Sequence, residues 1–336
     1  MAGSRLAEAF PDGAPAGRVL VIGAGAGGTL VPLDPAQTWV QQENFTDNQW
    51  LASQGWQVAP QVSGDFDLAL VCLPRAKAAA RARIADAAQR LAPGAALWID
   101  GQKTDGIDSI LKELRALTRI GEVHSKGHGK IFCVTTGAQG WLPEEWQARP
   151  QQAAQGFMTM PGMFSADGVD PGSALLASHL PPRLPTRLVD LGAGWGWLSA
   201  QALAREGVEQ LHLVEADHNA LEAARRNIAD PRAHFHWADA RDFRLPEPVN
   251  GVIMNPPFHS GRSADPRLGT DFIAAAARLL TGAGRLWMVA NRHLPYEAGL
   301  ARHFASCREI GGDNRFKIFE ASGARRGAKT SPVSRI

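Results

Sequence analysis

Short runs of consecutive apolar residues, each closed by glycine or proline, set the rhythm of this chain. Val19-Leu20-Val21-Ile22 leads into Gly23-Ala24-Gly25-Ala26-Gly27-Gly28, and Leu188-Val189-Asp190-Leu191 leads into Gly192-Ala193-Gly194-Trp195-Gly196. Each reads as a buried strand feeding a tight turn. Leu198, Ala202 and Leu203 share a helical face after the second loop, whereas Pro32 and Pro35 limit any helix after the first. Helical patterning recurs at Ala76 to Leu91, Ala220 to Ile228 and Phe272 to Leu280. Strands alternating with helices in both halves predict an α/β protein with doubly wound parallel sheets.

The two halves echo each other in order. Residues 67–74 resemble residues 250–257, Leu97-Trp98-Ile99 resembles Leu286-Trp287-Met288, and Lys130-Ile131-Phe132 recurs as Lys317-Ile318-Phe319. With the two glycine loops, four matches in one order predict a duplicated, Rossmann-like domain. The expected limits are a first domain at 1–140, a linker at 141–160, a second domain at 161–322 and a basic tail at 323–336.

Composition narrows the classes. The 336 residues suit about two domains, and 45% hydrophobic with 20% charged residues excludes wholesale disorder. No apolar run reaches the ~20 residues of a membrane span, and the N-terminus, with Glu8 and Asp12, does not read as a signal peptide. Cys72, Cys133 and Cys307 are odd in number and scattered, which fits a reducing cytoplasm and no disulfide framework. The net charge of +2 implies little about partners. Arg325, Arg326, Lys329 and Arg335, with no acid after Arg325, form a tail that either holds phosphate or merely solubilises a frayed end. His234 and His236 share a strand face but lack a third ligand nearby, so no metal is expected.

The second half carries the candidate chemistry. Asp190 ends a strand before the glycine loop, Glu215 ends the next strand 23 residues past Gly192, and Asp239 ends a third. Right-handed crossovers bring all three to one sheet edge, where Glu215 suits ribose hydroxyls and Asp239 an exocyclic amine. A glycine loop with a downstream acid is equally the dinucleotide signature, so a nicotinamide enzyme stays open on these residues alone. Asn255-Pro256-Pro257-Phe258 at the fourth strand end points elsewhere. The Asn255 side-chain oxygen and the Pro256 carbonyl can each accept one N–H of a flat amine, Pro257 stiffens the turn, and Phe258 can stack on a planar substrate. Arg262 and Arg267 follow as candidate phosphate contacts.

This pattern resembles the class I S-adenosylmethionine-dependent methyltransferases that act on planar nitrogens. The resemblance gives Asp190, Gly192, Ala193, Gly194 and Gly196 to the methionine portion and Glu215 and Ala216 to the ribose. It gives Asp239 and Ala240 to the adenine, and Asn255 to cofactor and catalysis. The run 161–176, with Pro161-Gly162-Met163-Phe164-Ser165 and Asp170-Pro171-Gly172-Ser173, and the stretches 289–296 and 315–319 resemble the ribosomal RNA guanine-N2 methyltransferases of the RsmC and RlmG type. That family implies Phe164 near the cofactor, tandem methyltransferase-like domains with a silent first copy, and guanine in ribosomal RNA, most of all small-subunit RNA, as substrate. It further implies a cytoplasmic protein, expected to be a monomer, that meets ribosomal RNA or a ribosomal subunit, with no membrane and no metal. Large-subunit guanine, DNA adenine-N6, protein glutamine and a non-catalytic RNA-binding assembly role are the alternatives.

The first half fits a degenerate copy. Val21 stands where Asp190 does, and Cys72-Leu73-Pro74-Arg75 where the Asn-Pro-Pro-Phe turn does. Arg75, Lys77, Arg81 and Arg83 form a possible phosphate-contacting cluster, and Glu43, 20 residues past Gly23, fits a residual ribose-binding acid.

Overall fold

The computed structural model describes residues 2–13, 16–28, 30–138, 140–257, 259–260, 263–264 and 266–325. The chain divides into two compact units, one of residues 1–151 and 160–166, the other of residues 152–159 and 167–336.

The first unit runs α1 (Ala2–Ala9), β1 (Val19–Ile22), β2 (Thr38–Gln41), α2 (Phe45–Ser53), β3 (Gln57–Ala59), β4 (Phe66–Cys72), α3 (Lys77–Gln89), β5 (Leu91–Gln102), α4 (Ile107–Leu117), β6 (Ile120–Lys126) and β7 (Gly129–Thr135). Two-residue strands β8 (Gln151–Gln152) and β9 (Met158–Thr159) follow. The second unit continues with α5 (Pro171–His179), β10 (Arg187–Leu191), α6 (Trp197–Leu203), β11 (Gln210–Glu215), α7 (His218–Asn227), β12 (Ala233–Trp237) and β13 (Val249–Met254). After the short hairpin β14 (His259–Ser260) and β15 (Ser263–Ala264) come α8 (Pro266–Leu279), β16 (Leu280–Asn291), α9 (Glu297–His303), β17 (Phe304–Gly312) and β18 (Phe316–Ala324).

Each unit is built on a seven-stranded sheet, ordered β3-β2-β1-β4-β5-β7-β6 in the first and β12-β11-β10-β13-β16-β18-β17 in the second. Both orders are the same permutation, parallel except for the strand placed second from the end. The duplication holds at single-residue register. Ile99 faces Phe132 as Met288 faces Phe319, and Leu70 pairs with Trp98 as Ile253 pairs with Trp287. It extends to an ion pair: Lys130 binds Asp108 in the first turn of α4, and Lys317, at the matching position, binds Glu297 in the first turn of α9. The helices after the second strands are capped alike, by Asn44 before α2 and Asp217 before α7.

The apolar runs are strands covered on both faces, as parallel sheets require. Leu20 and Ile22 join one core cluster, while Val19 and Val21 join another with Leu6 and Phe10. Val189 and Leu191 enter the main core of the second unit with Val252, Met254 and Met288. As expected from Pro32 and Pro35, among the described residues no helix joins β1 to β2, whereas α6 joins β10 to β11. Trp146, in the stretch read from sequence as linker, is buried in the first unit's core and lies under the Arg81 guanidinium. Among the described residues, no helix is long and apolar enough to cross a membrane.

Candidate active site

β10 lies between β11 and β13 in the second unit's sheet, with Asp190 level with Leu213 of β11 and Ile253 of β13. Asp190 is 1% exposed. Its Oδ2 accepts from the Ser199 hydroxyl at 2.7 Å, while Oδ1 is buried with no hydrogen-bond partner. Burial pushes its pKa up to about 7, against the pull of Ser199 and with a smaller push from the Glu215 charge. A buried carboxylate with one idle oxygen is costly for the fold alone, which makes Asp190 a candidate ligand-binding group.

The three loop glycines do different things. Each has positive φ, but a Cβ on Gly196 would lie 2.8 Å from Ile228 and 3.1 Å from Ala224, so Gly196 lets the start of α6 pack on α7. A Cβ on Gly192 would touch Phe272 at 3.4 Å, and one on Gly194 would meet nothing within 4 Å. Of the three, Gly194 has open space where a side chain would begin, and Gly196 has in addition a packing role against α7. Ala193 between them is buried. Asn227, which sequence reasoning missed, ties this loop down. Its Nδ2 donates to the carbonyls of Trp195 and Met158, both at 2.9 Å, and its Oδ1 accepts from Met158 N–H at 2.8 Å. Trp197 Nε1 donates to Gln155 at 2.9 Å. No local motif announces contacts of such sequence separation.

Glu215 sits at the end of β11 with its carboxylate held by two backbone donors, Gly194 N–H at 2.8 Å and Asp217 N–H at 2.9 Å. Burial raises its pKa, and those N–H groups oppose the rise. The glycine loop and the acid thus form one hydrogen-bonded unit that leaves further lone pairs on both oxygens. Asp239 lies past the end of β12 and is already engaged: Arg241 forks onto it with contacts of 2.6 to 3.0 Å. The guanidinium two residues along folds back on the carboxylate, so Asp239 is a paired group rather than an open acceptor. Ala240 is buried in the core, and the Ala216 carbonyl accepts from Trp237 Nε1 at 2.9 Å. His234 and His236 both lie against His212, with 2.9 Å between His212 Nδ1 and His236 Nε2. Burial and the neighbouring rings press the His212 pKa down to about 4.

Asn255 follows β13 directly, one residue past Met254, which is level with Leu191. Its Nδ2 donates to Asp170 Oδ2 and to Ser173 Oγ, both at 2.8 Å. A carboxylate only accepts, so the amide nitrogen is fixed on that side and the side-chain oxygen is turned away from it. Asp170 caps α5, accepting from Ser173 N–H at 2.7 Å, with Pro171 in the first turn. The Asp-Pro-Gly-Ser sequence signals that helix start, but not its contact with a residue 85 positions away. Pro256 is buried and Pro257 exposed. Phe258 and Arg262 lie outside the described residues, as does the tail beyond Arg325. Arg267 is exposed near the start of α8. Phe164 is 59% exposed and belongs to the first unit, so it is not among the residues the second unit itself brings together.

The first unit fills the matching positions differently. Register places Val21 opposite Val40 and Leu70, as Asp190 is placed opposite Leu213 and Ile253. The residue equivalent to Glu215 is Gln42, not Glu43, since Gln41 and Val214 pair with the last residues of β1 and β10. Gln42 donates to the Ala24 carbonyl, reversing the polarity of the Glu215 contact with its loop. Glu43 is bound to Arg83 at 3.1 Å, and the same guanidinium donates to the Cys72 carbonyl at 3.3 Å. That guanidinium packs on the glycine loop so closely that a Cβ on Gly23 would come within 2.0 Å of it. The reading of Glu43 as a residual ribose acid is thereby overturned. Three of the four residues of the expected basic cluster are ion-paired: Lys77 and Arg81 share Glu113, and Arg83 takes Glu43. Burial drives the Cys72 thiol up to about 12, so it offers no thiolate.

A duplicated α/β frame, with an acid-anchored glycine loop and an oriented Asn-Pro-Pro turn at the carboxyl edge of one copy only, defines an S-adenosylmethionine-dependent methyltransferase. Residues 154–320 match the family model described as methyltransferase small domain, and residues 15–145 the one described as methyltransferase small domain N-terminal. The ribosomal RNA small subunit methyltransferase C of Stutzerimonas stutzeri is 31% identical over 316 residues, covering 91% of this chain and 94% of that protein. The protein of the same name from Hahella chejuensis is 28% identical over 282 residues, 81% of each. Among solved structures, the T. thermophilus 16S rRNA N2 G1207 methyltransferase RsmC, in complex with AdoMet and guanosine, superposes with a TM-score of 0.79 at 24% identity, covering 96% of this chain and 91% of that one. The chain belongs to the ribosomal RNA small subunit methyltransferase C family.

Proposed function

We propose that this protein transfers the methyl group of S-adenosylmethionine to the exocyclic N2 of a guanine in small-subunit ribosomal RNA. The observation that carries the reading is the fixed Asn255 amide, with both N–H bonds spent on Asp170 and Ser173 and its oxygen left to accept. The relatives' names support the RNA, and the name of the T. thermophilus structure supports guanine N2.

The residues present fit the cofactor. Open space beside Gly194, the lone pairs left on Glu215 and the idle Asp190 oxygen are the features a cationic nucleoside needs. Glu215, with Ala216 behind it, holds the ribose hydroxyls, Asp190 and the loop of Gly192, Ala193 and Gly194 hold the methionine portion, and Asp239 with Ala240 borders the adenine. When bound, S-adenosylmethionine supplies an electrophilic methyl on a sulfonium. The chain's own work is orientation. Guanine N2 is flat because its lone pair is delocalised. The Asn255 oxygen and the Pro256 carbonyl each accept one N–H, turning the nitrogen toward tetrahedral geometry and aiming its lone pair. Those same acceptors stabilise the positive charge that grows on nitrogen, and a proton leaves once the nitrogen is cationic, so no strong base is required. Phe258 stacks on the guanine, and Arg262 and Arg267 hold flanking phosphates. A paired base is flipped out first or met before the subunit is complete. The protein works as a cytoplasmic monomer without a metal.

Labelled methyl transfer to small subunits from a strain lacking the enzyme, followed by nucleoside analysis, tests this. Label in N2-methylguanosine is expected. Label in N6-methyladenosine or in protein overturns the substrate assignment.

A further inference from the structure

Asp170 and Ser173 do more than begin a helix. Each of the two N–H bonds of the Asn255 amide ends on one of them, at 2.8 Å in both cases. The carboxylate oxygen that takes one of these bonds also takes the Ser173 backbone N–H, so cap and amide share a single anchor. Gly172 makes room for it: a Cβ there would come within 3.0 Å of that Asp170 oxygen and 3.2 Å of Phe316.

We propose that Asp170 and Ser173 are positioning residues for methyl transfer, acting through Asn255 in two ways. The first is selection of the amide face. An asparagine side chain can present oxygen or nitrogen to a substrate, and only the oxygen can accept an amine N–H. With acceptors on the opposite side, the flipped amide would set its oxygen against a carboxylate. The second is polarisation. An N–H donated to an anion pushes electron density toward the amide oxygen, and chained hydrogen bonds strengthen one another. That oxygen then responds most strongly where positive charge grows on the amine, a gain specific to the transition state.

The inference rests on the proposed role of Asn255, and its test separates the two. Single-turnover methyl transfer is measured with the full chain and small subunits lacking the modification, beside cofactor affinity by calorimetry. Ser173→Ala keeps the backbone cap, and Asp170→Asn keeps a good capping residue while removing the charge. Each is expected to slow transfer about tenfold, the worth of one hydrogen bond, with cofactor Kd within about twofold, and Ser173→Thr is expected to restore the rate. In an Asn255→Ala background, Ser173→Ala should cost nothing more, because its effect passes through the missing amide. Wild-type transfer by Ser173→Ala, or an equal loss in both backgrounds, overturns the inference. Wild-type transfer by Asn255→Ala instead overturns the functional reading itself.

Discussion

β1 and β10 occupy the same place in two sheets of the same order, yet Val21 lies in one where Asp190 lies in the other. Val21 is an easy core residue. Asp190 is a buried carboxyl with an idle oxygen and a pKa near neutrality. The same contrast runs along the edge. Glu215 grips its glycine loop through backbone N–H groups, whereas Gln42 donates to its loop and Arg83 fills the space against Gly23. The fold therefore does not need the site. In the first unit apolar packing and internal ion pairs satisfy the frame; in the second the same frame tolerates a buried carboxyl with an unpartnered oxygen.

The largest effect that sharpens this contrast is in the first unit. Arg5 is 1% exposed and forks onto Asp100 at 2.6 and 3.0 Å. Asp100 matches Val289, since each faces the isoleucine of the repeated Lys-Ile-Phe. Arg5→Ala should destabilise the first unit by about 3–5 kcal/mol by stranding a buried charge. Arg5→Met with Asp100→Val, copying the apolar solution of the second unit, should recover most of it in denaturant melts.

Next comes Asp190. Its folded pKa of about 7 exceeds the ordinary 3.8, so the native state holds a proton that the unfolded state gives up, and stability is lost as pH rises through that window. Asp190→Asn should therefore stabilise the second unit at pH 8, on the order of a few kcal/mol, while weakening cofactor binding. In the unmutated protein, affinity for the cationic cofactor should tighten as pH rises through about 7, with proton release detectable by calorimetry in buffers of different ionisation enthalpy.

The glycines give a smaller, paired effect. Gly196→Ala should cost about 1–3 kcal/mol through overpacking against Ile228 and Ala224. Gly194→Ala should leave more stability but lose cofactor affinity, because its Cβ enters the open space. Smallest is the histidine group. His212 has its pKa pressed down to about 4, so the unfolded state binds protons first as pH falls below 6.5, and stability is lost from there down through about 4. His212→Gln should flatten that acid limb of the melting profile.

Much of this was legible in the sequence because duplication leaves apolar strands in order, and Val21, Cys72 and the Lys-Ile-Phe repeats align by eye. Position at the sheet edge was readable for Asp190, Glu215 and Asn255 because parallel crossovers put every strand end there. What escaped were partnerships across long sequence separations. Asn227 on the loop, Arg83 against Gly23 and Asp170 on Asn255 are set by helix packing and side-chain reach, which a linear pattern does not encode. Glu43 misled for a related reason: a count of residues past a glycine is one position off when loop lengths differ, and only strand register reveals Gln42.

In the proposed function the second unit's asparagine, and not its cysteine counterpart in the first, handles the methyl acceptor. Single-turnover transfer to unmodified small subunits by Asn255→Ala and Cys72→Ala, with S-adenosylmethionine affinity measured in parallel, tests it most directly. Transfer by Asn255→Ala is expected to be roughly 10²–10³-fold slower with cofactor affinity changed only a few-fold, and the rate of Cys72→Ala unchanged. Undiminished transfer by Asn255→Ala would contradict it.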